Sequence, residues 1–291
     1  MVFVNIIVMC SPNYSKNTFN ATIARNISCV DQFIVLYHGI KRCFSTFEFK
    51  INLFHTIEFN YDDRQRLEKL DIIMYHVQPD LPDSYKMRHF CRCESMVHKL
   101  KYDGTHRLML DTDLVILKEP NFDFETDFQA MFEETVIDHK YIKYAADRFG
   151  LKYCFPDRYL VKNHLNTQFY KGVDYRNIYP YFNAGVLLIK EELSHKFANL
   201  WKPTLVLTTD DWQFPVDDFI KHMIAQYTFS QSLITLSDNW RPLPLGCNYL
   251  AKGFDINIFG KDNISIYHYC GKEAYENYAL KHFKEYFNAI L

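Results

Sequence analysis

The chain has 291 residues, a length that accommodates one large α/β domain. Hydrophobic residues make up 48% of the sequence and aromatic residues 17%, which is ample for a packed core and leaves aromatic side chains to line a groove. The 33 Lys and Arg residues nearly balance the 35 Asp and Glu residues, giving a formal net charge of -2. This excludes the basic field typical of nucleic-acid-binding proteins. No apolar run approaches the ~20 residues of a membrane-spanning helix, so we expect no transmembrane segment.

The N-terminal part of the sequence predicts a strand, a loop, a helix and a second strand. Residues 2–9 (VFVNIIVM) predict a strand rather than a signal sequence, because Asn5 interrupts the apolar run and no basic segment precedes it. Residues 10–14 (CSPNY) form a turn-like loop, residues 16–29 predict a helix, and residues 32–38 (QFIVLYH) predict a second strand. In such a β-α-β unit, ligands bind at the carboxyl ends of the strands, where residues 10–14 fall.

The centre of the chain carries two carboxylates between apolar runs. The run at 108–110 predicts a buried central strand, Asp111 and Asp113 follow it, and a second apolar run occupies 114–117. Burying two unpaired carboxylates would cost several kcal/mol each, on the order given for buried ions, so they should face a cation or an open cleft. Alternate strand positions face opposite sides, so at least one carboxylate must lie where the strand breaks into a turn. A hard divalent cation such as Mg²⁺ or Mn²⁺ would satisfy both.

The remaining helices and strands are predicted from the periodicity of the hydrophobic residues. The segment 137–180 has few signs of a regular period and is expected to be an insertion or an acceptor-facing region, whose aromatic residues either stack on a ligand or simply pack. In chain order, the sequence also predicts a strand at 71–77, a helix at 85–101, strands at 128–133 and 183–190, helices at 191–205 and 215–227, strands at 232–236 and 264–268, and a helix from 272 to the C-terminus.

The eight cysteines include no C-x-x-C pair. Residues 91–93 (CRC) are too close together to supply two ligands of a structural zinc site. Reduced thiols in a reducing compartment are therefore the expectation. With no signal sequence or anchor in view, we expect a cytoplasmic protein.

Four sequence blocks occur in order along the chain: Ser11-Pro12-Asn13-Tyr14, Leu110-Asp111-Thr112-Asp113, Phe182-Asn183-Ala184-Gly185-Val186 and His268-Tyr269-Cys270-Gly271. Together they resemble the retaining GT-A glycosyltransferases of family 8, the glycogenin and galactinol synthase type. D-x-D alone is a weak signal, but D-x-D followed by N-A-G-V and then H-x-x-G is a more specific combination. The resemblance spans about residues 3–275. It implies a single GT-A domain of Rossmann-like type with a mixed central sheet, whose nucleotide-binding part is about 1–120 and whose acceptor-side part is about 121–291.

The resemblance implies a metal site. Asp111 and Asp113 match the metal-binding D-x-D, and His268 matches the histidine that completes the protein ligands of Mn²⁺ or Mg²⁺. A divalent ion held in this way neutralises charge on a leaving nucleoside diphosphate. The alternative for His268 is a hydrogen-bonded core histidine beside Tyr267 and Tyr269.

The resemblance also implies a binding loop for the nucleotide. Cys10, Ser11 and Tyr14 match the loop that cradles uracil and ribose, with Tyr14 stacking on the base. The alternative is a strand-to-helix loop whose tyrosine closes the core. Thr112 is expected to contact the ribose through its backbone. A UDP-linked sugar is therefore the expected donor.

The expected phosphate contacts depart from the family pattern. Gly271 matches a glycine that lets the backbone approach the diphosphate. The family's phosphate-binding lysine would fall at Ala274 in this sequence, and the nearest cation is Lys272. A second family cation lies on the helix before the D-x-D strand; Arg88 and Arg92 are the candidates, and Arg92 is preferred.

The residues expected at the transferred sugar come from two blocks. Asn183 and Ala184 match residues that line the donor sugar, and an amide can both donate to and accept from hydroxyls. In PVDDF, Asp217 matches a family aspartate near the sugar, and Asp218 stands where the family has a glutamine. The alternative for Asp217 is an acid that favours a helix N-terminus, and residues 210–211 (DD) could compete for the same role.

The leading hypothesis is thus a metal-dependent glycosyltransferase that moves a sugar from a UDP-linked donor to a hydroxyl of a glycan, protein or lipid, with retention. No carboxylate is clearly placed as a nucleophile, so same-face substitution is the working mechanism, with Asp217 and Asn183 stabilising the oxocarbenium-like sugar. One alternative is a haloacid-dehalogenase-type phosphatase with Asp111 as nucleophile and Asp113 as acid/base. The other is a nucleotide-sugar or glycan-binding protein without turnover. This alternative is suggested by Ala274, which stands where the family has its phosphate-binding lysine.

Overall fold

The computed structural model describes residues 2–10, 28–56, 58–78, 84–132, 139–152, 181–205, 218–250, 260–269 and 284–287. In this part of the chain, strands and helices alternate through the N-terminal half. Its strands are β1 (Phe3–Cys10), β2 (Glu48–His55), β3 (Ile72–His76), β4 (His106–Leu110), β5 (Leu114–Ile116), β6 (Phe128–Phe132), β7 (Phe182–Lys190), β8 (Trp240–Pro242), β9 (Tyr249–Leu250) and β10 (Ile266–His268). Its α-helices are α1 (Cys29–Cys43), α2 (Tyr61–Glu68), α3 (Ser84–Val97), α4 (His139–Phe149), α5 (Glu191–Leu205) and α6 (Asp218–Leu236), and short 3-10 helices lie at Leu245–Asn248, Lys261–Asn263 and Lys284–Phe287.

The described strands form two sheets. The larger is a seven-stranded mixed sheet in the order β3-β2-β1-β4-β7-β6-β8. Strands β3, β2, β1 and β4 are parallel, whereas β7 runs antiparallel to both β4 and β6. The smaller sheet has three strands in the order β5-β10-β9. Since β2 and β4 flank β1 on opposite sides, the strand order reverses beside β1, and such a reversal opens a crevice at the carboxyl ends of the strands.

The centre of the large sheet is buried on both faces. Every residue of β4 is buried, as are all but one end residue of both β1 and β7. Helix α1 contacts β1 and β5, α3 packs against β1 and α5, and α6 packs against α5 and β7. This explains the largely apolar sequences of these strands, since neither face is open to solvent; the few polar side chains in them, such as Asn5 and Asn183, are buried. Within the described residues, no helix combines the length and apolarity needed to cross a bilayer.

Most predicted strands and helices are present. The strands predicted at 2–9, 71–77, 128–133 and 183–190 appear as β1, β3, β6 and β7, and the helix at 191–205 is α5. The helix predicted at 85–101 ends earlier, at Val97, and only the last part of the strand at 264–268 forms β10. The prediction of a helix at 16–29 lies largely outside the described residues, as does most of the C-terminal helix predicted from 272.

The strand predicted at 32–38 is wrong, because these residues belong to helix α1. The helix begins at a capping box in which Ser28 Oγ accepts from the backbone N–H of Asp31 and the Asp31 carboxylate accepts from the backbone N–H of Ser28. Nine residues of the helix are buried, Gln32 and Tyr37 among them. Residues 32–37 form a fully buried stretch of this helix, and the exposed face that carries His38, Lys41 and Arg42 lies outside that stretch, so the stretch taken alone resembles a buried strand.

Two further parts of the prediction need correction. The second strand of the large sheet is β2, at Glu48–His55, a segment to which the sequence analysis gave no element. The strand predicted at 232–236 is wrong, because the helix predicted at 215–227 runs on to Leu236 as α6. The buried face of α6 carries Ser232 and Leu233 against the core, so burial rather than strand pairing accounts for the apolar run.

The expectation of reduced thiols fails at one pair of cysteines. Cys10, at the end of β1, and Cys29, at the start of α1, are joined by a disulfide, with their Cα atoms 5.9 Å apart. Among the described cysteines Cys43, Cys91, Cys93 and Cys247 are free thiols. Burial, with a smaller contribution from the Glu94 carboxylate, raises the pKa of Cys91 to about 12. At neutral pH Cys91 is therefore a packing residue and not a nucleophile.

The Asp31 carboxylate connects the start of α1 to α2. Besides capping α1, it accepts a hydrogen bond from Arg66 Nη2 at 2.7 Å. Desolvation by burial raises the pKa of Asp31, but the hydrogen bonds from Arg66 and Ser28 outweigh it, so the pKa is lowered from the ordinary value of 3.8. A depressed pKa adds stability above the unfolded-state pKa, and this stability is lost as the pH falls through the native-state pKa.

We therefore expect Asp31→Asn to lower the free energy of unfolding by about 1 kcal/mol at neutral pH, the usual size of a capping interaction. The difference from the wild type should shrink as the pH falls below about 4, because the native carboxylate then becomes protonated. Urea denaturation over this pH range measures both effects. The same change at the exposed Asp103 is the control, and a difference that stays constant with pH would contradict the assignment.

Candidate metal and donor site

The D-x-D segment is the link between the two sheets. Strand β4 ends at Leu110 and β5 begins at Leu114, so Asp111, Thr112 and Asp113 cross from the large sheet to the small one. The backbone N–H of Asp111 still donates to the carbonyl of Gly185 on β7, at 2.9 Å. The segment thus lies at the carboxyl end of β4, beside the end of β1. Both aspartates sit just past the strand, as required if neither is to be buried inside the sheet.

Strand pairing in the small sheet brings His268 to the aspartates. His268 ends β10 and pairs with Leu114, the first residue of β5. The next residue, Tyr269, donates its N–H to the carbonyl of Asp113 at 3.2 Å. His268 Nε2 lies 3.2 Å from Asp113 Oδ1 and 4.0 Å from Asp111 Oδ2. The antiparallel register of β5 and β10 therefore joins two segments that are distant in the sequence.

These three side chains fit a divalent cation. One ligand atom from each of Asp111, Asp113 and His268 lies within 4.8 Å of the others, and all three residues are buried. Two carboxylates and one imidazole form a donor set that suits Mn²⁺ or Mg²⁺ better than a soft metal, which would favour thiolates. Of the described residues, no other group of histidine, cysteine, aspartate and glutamate side chains has this geometry.

A buried arginine is hydrogen-bonded to one of the two aspartates. Arg92 on α3 is 2% exposed, and its Nη2 donates to Asp111 Oδ1. Its Nη1 lies 3.3 Å from Nδ1 of His89, which is also buried. Asp111 therefore faces Arg92 with one oxygen and His268 with the other, so a cation in the cluster would be bound through Oδ2. With a neutral His268, the two carboxylates and the guanidinium carry one net negative charge, which favours a cation.

Asn183 and Ala184 lie on β7, where its pairing with β6 is irregular. The register shifts between Ala130, which pairs with Leu187, and Met131, which pairs with Asn183. Asn183 Oδ1 accepts hydrogen bonds from Gly185 N at 2.7 Å and from Asn248 Nδ2 at 2.9 Å. Such irregularities re-aim side chains beside binding sites, and this one lies opposite Asp111.

Thr112 and Cys10 are both tied to helix α1. Thr112 Oγ1 donates to Gln32 Oε1 at 3.0 Å, and both residues are buried. The Thr112 side chain therefore packs inward, toward α1. Cys10 has no exposed surface and is bonded to Cys29, and its carbonyl accepts from Thr56 N at 3.3 Å.

Several candidate residues lie where the structure gives no side-chain position. Asp218 is the first residue of α6, whereas the predicted helix begins at 215, a position outside the described residues. Ser11, Tyr14, Asp217, Gly271 and Lys272 lie outside the described residues, and so does Ala274.

No protein-family model matches the chain, and no curated protein matches it. Solved structures do. A crystal structure of the galactosyltransferase LgtC, in complex with donor and acceptor sugar analogues, aligns over 98% of this chain and 95% of that one, with a TM-score of 0.55 and 12% identity. The chain has the GT-A fold. An active-site mutant of LgtC aligns over the same shares of the two chains, with a TM-score of 0.54 and 13% identity.

The GT-A fold removes the basis of the phosphatase alternative. The haloacid-dehalogenase signature belongs to a different fold, in which the aspartate pair follows an early strand. In this chain the pair follows β4, the fourth strand in sequence. Identities of 12% and 13% extend the likeness to the fold alone, so any activity must be argued from the site.

Some residues of the site were missed by the sequence analysis. Asn248, His89 and Gln32 all contact candidate residues, yet none lies in the four blocks. Gln32 was assigned to a strand and His89 to the helix that became α3. Asn248 has no local signal, because only the pairing of β9 with β10 brings it to the site.

Proposed function

We propose that this chain is a metal-dependent glycosyltransferase that transfers a sugar from a nucleoside diphosphate donor to a hydroxyl acceptor. The single observation that carries the proposal is the buried cluster of Asp111, Asp113 and His268 at the carboxyl edge of a GT-A sheet. In open α/β sheets, ligands bind at this edge, where the strand order reverses. The LgtC galactosyltransferase, which shares the fold, was crystallised with donor and acceptor sugar analogues.

The donor we propose is a UDP-linked sugar. Asp111, Asp113 and His268 would hold Mn²⁺ or Mg²⁺, which supplies positive charge to the leaving diphosphate when bound. The backbone of Thr112 and the loop containing Ser11 and Tyr14 would bind the nucleoside. Gly271 and Lys272 would contact the phosphates.

At the transferred sugar, we propose that Asp217 stabilises positive charge developing at the anomeric carbon. Asn183, whose Oδ1 accepts from Gly185 N and Asn248 Nδ2, would act through its amide NH₂ group as a donor to a sugar hydroxyl. Ala184 would pack against the sugar ring, and Asp218 would start the helix that presents Asp217. Arg92 donates a hydrogen bond to Asp111, one of the three residues of the proposed metal site. It would hold that carboxylate in place and add a fixed positive charge near the donor. Retention of anomeric configuration, through a same-face substitution, completes the proposal.

A panel of nucleotide sugars tests the proposal directly. The purified chain is incubated with UDP-, GDP- and ADP-linked sugars, with Mn²⁺ or with EDTA, and release of free nucleotide is measured. We expect release from at least one UDP-sugar in Mn²⁺ and none in EDTA, because the site holds its diphosphate through the cation. A panel in which no donor is hydrolysed in either condition would contradict the enzyme assignment.

The same assay separates turnover from binding alone. Titration with UDP in the presence of Mn²⁺ measures the affinity of the site without chemistry. UDP binding that needs Mn²⁺, with no hydrolysis or transfer of any donor, would identify a nucleotide-sugar-binding protein. This outcome would match the alanine at Ala274, where the resemblance implies a lysine.

A further inference from the structure

A chain of three hydrogen bonds runs from the backbone of β7 to the imidazole of His268. Gly185 N donates to Asn183 Oδ1 at 2.7 Å, and Asn248 Nδ2 donates to the same oxygen at 2.9 Å. At the other end of its side chain, Asn248 Oδ1 lies 2.9 Å from His268 Nδ1. Asn248 has no exposed surface, so its amide makes these bonds without competition from bulk water.

The backbone N–H of Gly185 is the first donor in this series of hydrogen bonds. It determines which group donates and which accepts in the other two. A backbone N–H can only donate, so the Asn183 atom that faces Gly185 must be its oxygen. An oxygen can only accept, so Asn248 must face Asn183 with its NH₂ group. Asn248 is left with its oxygen toward His268. The orientation of an amide and the tautomer of a histidine are ambiguous when taken alone, and here the backbone removes both ambiguities.

An oxygen facing Nδ1 requires a proton on Nδ1. Once Nδ1 is the donor, a neutral His268 carries its lone pair on Nε2. Nε2 is the atom that points at the carboxylates, 3.2 Å from Asp113 Oδ1 and 4.0 Å from Asp111 Oδ2. Only this tautomer presents a lone pair to a cation lying between the three side chains.

The fold holds Asn248 rigidly in this position. Asn248 ends the 3-10 helix Leu245–Asn248 and is followed by β9, which pairs in parallel with β10. Gly246 O accepts from Ser265 N at 2.7 Å, which ties the same turn to the residue before β10. Asn248 directly precedes β9 and His268 ends β10, so the pairing of these two strands positions both residues. Their separation therefore does not depend on how the small sheet packs against the large one.

We propose that Asn248 is a positioning residue that fixes His268 in the Nδ1–H tautomer and so prepares Nε2 to ligate a divalent cation. The inference rests on the proposed function, since it assumes that His268 is a metal ligand. Asn248 itself touches neither the cation nor the donor. Its oxygen orients the ring and raises the basicity of Nε2, as partners of metal-bound histidines do in general.

The test compares Mn²⁺ affinity, measured from the electron paramagnetic resonance of free Mn²⁺, in the wild type and two variants. Asn248→Leu keeps the approximate size but removes the acceptor, and we expect it to weaken Mn²⁺ binding by ~10–100-fold. Asn248→Asp keeps an oxygen on Nδ1 and should bind Mn²⁺ within a few-fold of the wild type. The second oxygen of the introduced carboxylate would face Asn183 Oδ1, so this variant should nevertheless lose folding stability.

Asn52→Leu is the matched control. Asn52 is a buried asparagine in the middle of β2, hydrogen-bonded to Asn5 and to the carbonyl of Ile6. Its replacement should lower stability to urea and leave Mn²⁺ affinity unchanged. Stability and metal affinity would then vary independently across the variants, which a merely structural role of Asn248 would not produce.

A second readout needs no variant. Long-range ¹H–¹⁵N spectra of the Mg²⁺-loaded wild type should show a proton on His268 Nδ1, with the resonance assigned by its loss in His268→Gln. An unprotonated Nδ1 would overturn the inference even if Asn248→Leu fails to fold. Unchanged Mn²⁺ affinity in Asn248→Leu, or equal losses in both Asn248 variants, would also overturn it. A wild type that does not bind Mn²⁺ would instead overturn the proposed function, and the inference with it.

Discussion

Asp113→Asn is expected to abolish metal-dependent release of UDP from a donor sugar while the chain remains folded. Asp113 is 6% exposed, and its Oδ1 lies 3.2 Å from His268 Nε2, inside the proposed cation cluster. The amide has nearly the same shape but no charge, and its oxygen is a weaker ligand. Loss of a residue that only supports a metal ligand costs ~10–100-fold, so loss of a direct ligand should cost more. Nucleotide release and Mn²⁺ affinity measure the effect.

Asp123→Asn is the matched control for this experiment. Asp123 accepts a hydrogen bond from Arg241 at 2.8 Å near the protein surface, and it has no part in the cluster. Its loss should cost no more than about 1 kcal/mol of stability, since exposed ion pairs contribute little, and activity should be unchanged. Circular dichroism shows whether both variants fold. Normal turnover by folded Asp113→Asn would refute the metal site.

Gly185→Ala should disrupt the cluster from the side of β7. A Cβ atom at this position would lie 2.5 Å from His268 Cε1 and 2.7 Å from Asn183 Oδ1. Contacts this short do not persist, so either the imidazole or the β7 backbone must move. Both neighbours are buried and hydrogen-bonded, so neither can swing into solvent. We expect a loss of about 1–3 kcal/mol of stability, the usual cost of overpacking, together with a large loss of Mn²⁺ affinity.

Gly150→Ala is the control that separates a loss of stability from a loss of Mn²⁺ affinity. Gly150 follows α4 with a φ of +63°, and a Cβ there would meet no atom within 4 Å. Alanine at this position is destabilised by its backbone conformation alone, by about 1–2 kcal/mol. Urea denaturation should therefore show similar losses for both variants, whereas Mn²⁺ titration should show weaker binding only in Gly185→Ala. Equal Mn²⁺ affinity in the two variants would show that the space at Gly185 is not needed.

The fold could be predicted from the sequence where a segment had one clear environment. Strands β1, β4 and β7 are buried on both faces, and their largely apolar sequences predicted them. The same rule failed at α1 and at the end of α6, because a largely buried stretch of helix resembles a buried strand. Distinguishing the two cases requires the capping box at Ser28, whose S-x-x-D pattern is common by chance. The short strands β5 and β10 form because they pair with each other.

The site could be predicted only in part. The grouping of Asp111, Asp113 and His268 was predicted because motif order placed the three residues in one resemblance, and the structure brings these side chains together. The contacts around them were not visible. Arg92 meets Asp111 across a helix-to-sheet boundary, and Asn248 meets His268 through strand pairing. Such partners depend on register and side-chain orientation in three dimensions, which local sequence patterns do not encode.

The small sheet has a consequence for the order in which the protein matures. During synthesis the D-x-D segment leaves the ribosome long before β10, so a nascent chain has both carboxylates but lacks His268 and Asn248. The proposed cation site would be complete only after β10 has paired with β5, when most of the chain has been made. A cation that binds only this final state stabilises it in proportion to its concentration. Ambient Mn²⁺ would therefore favour chains that have completed folding over partly folded ones, and resistance to proteolysis should rise with Mn²⁺ concentration.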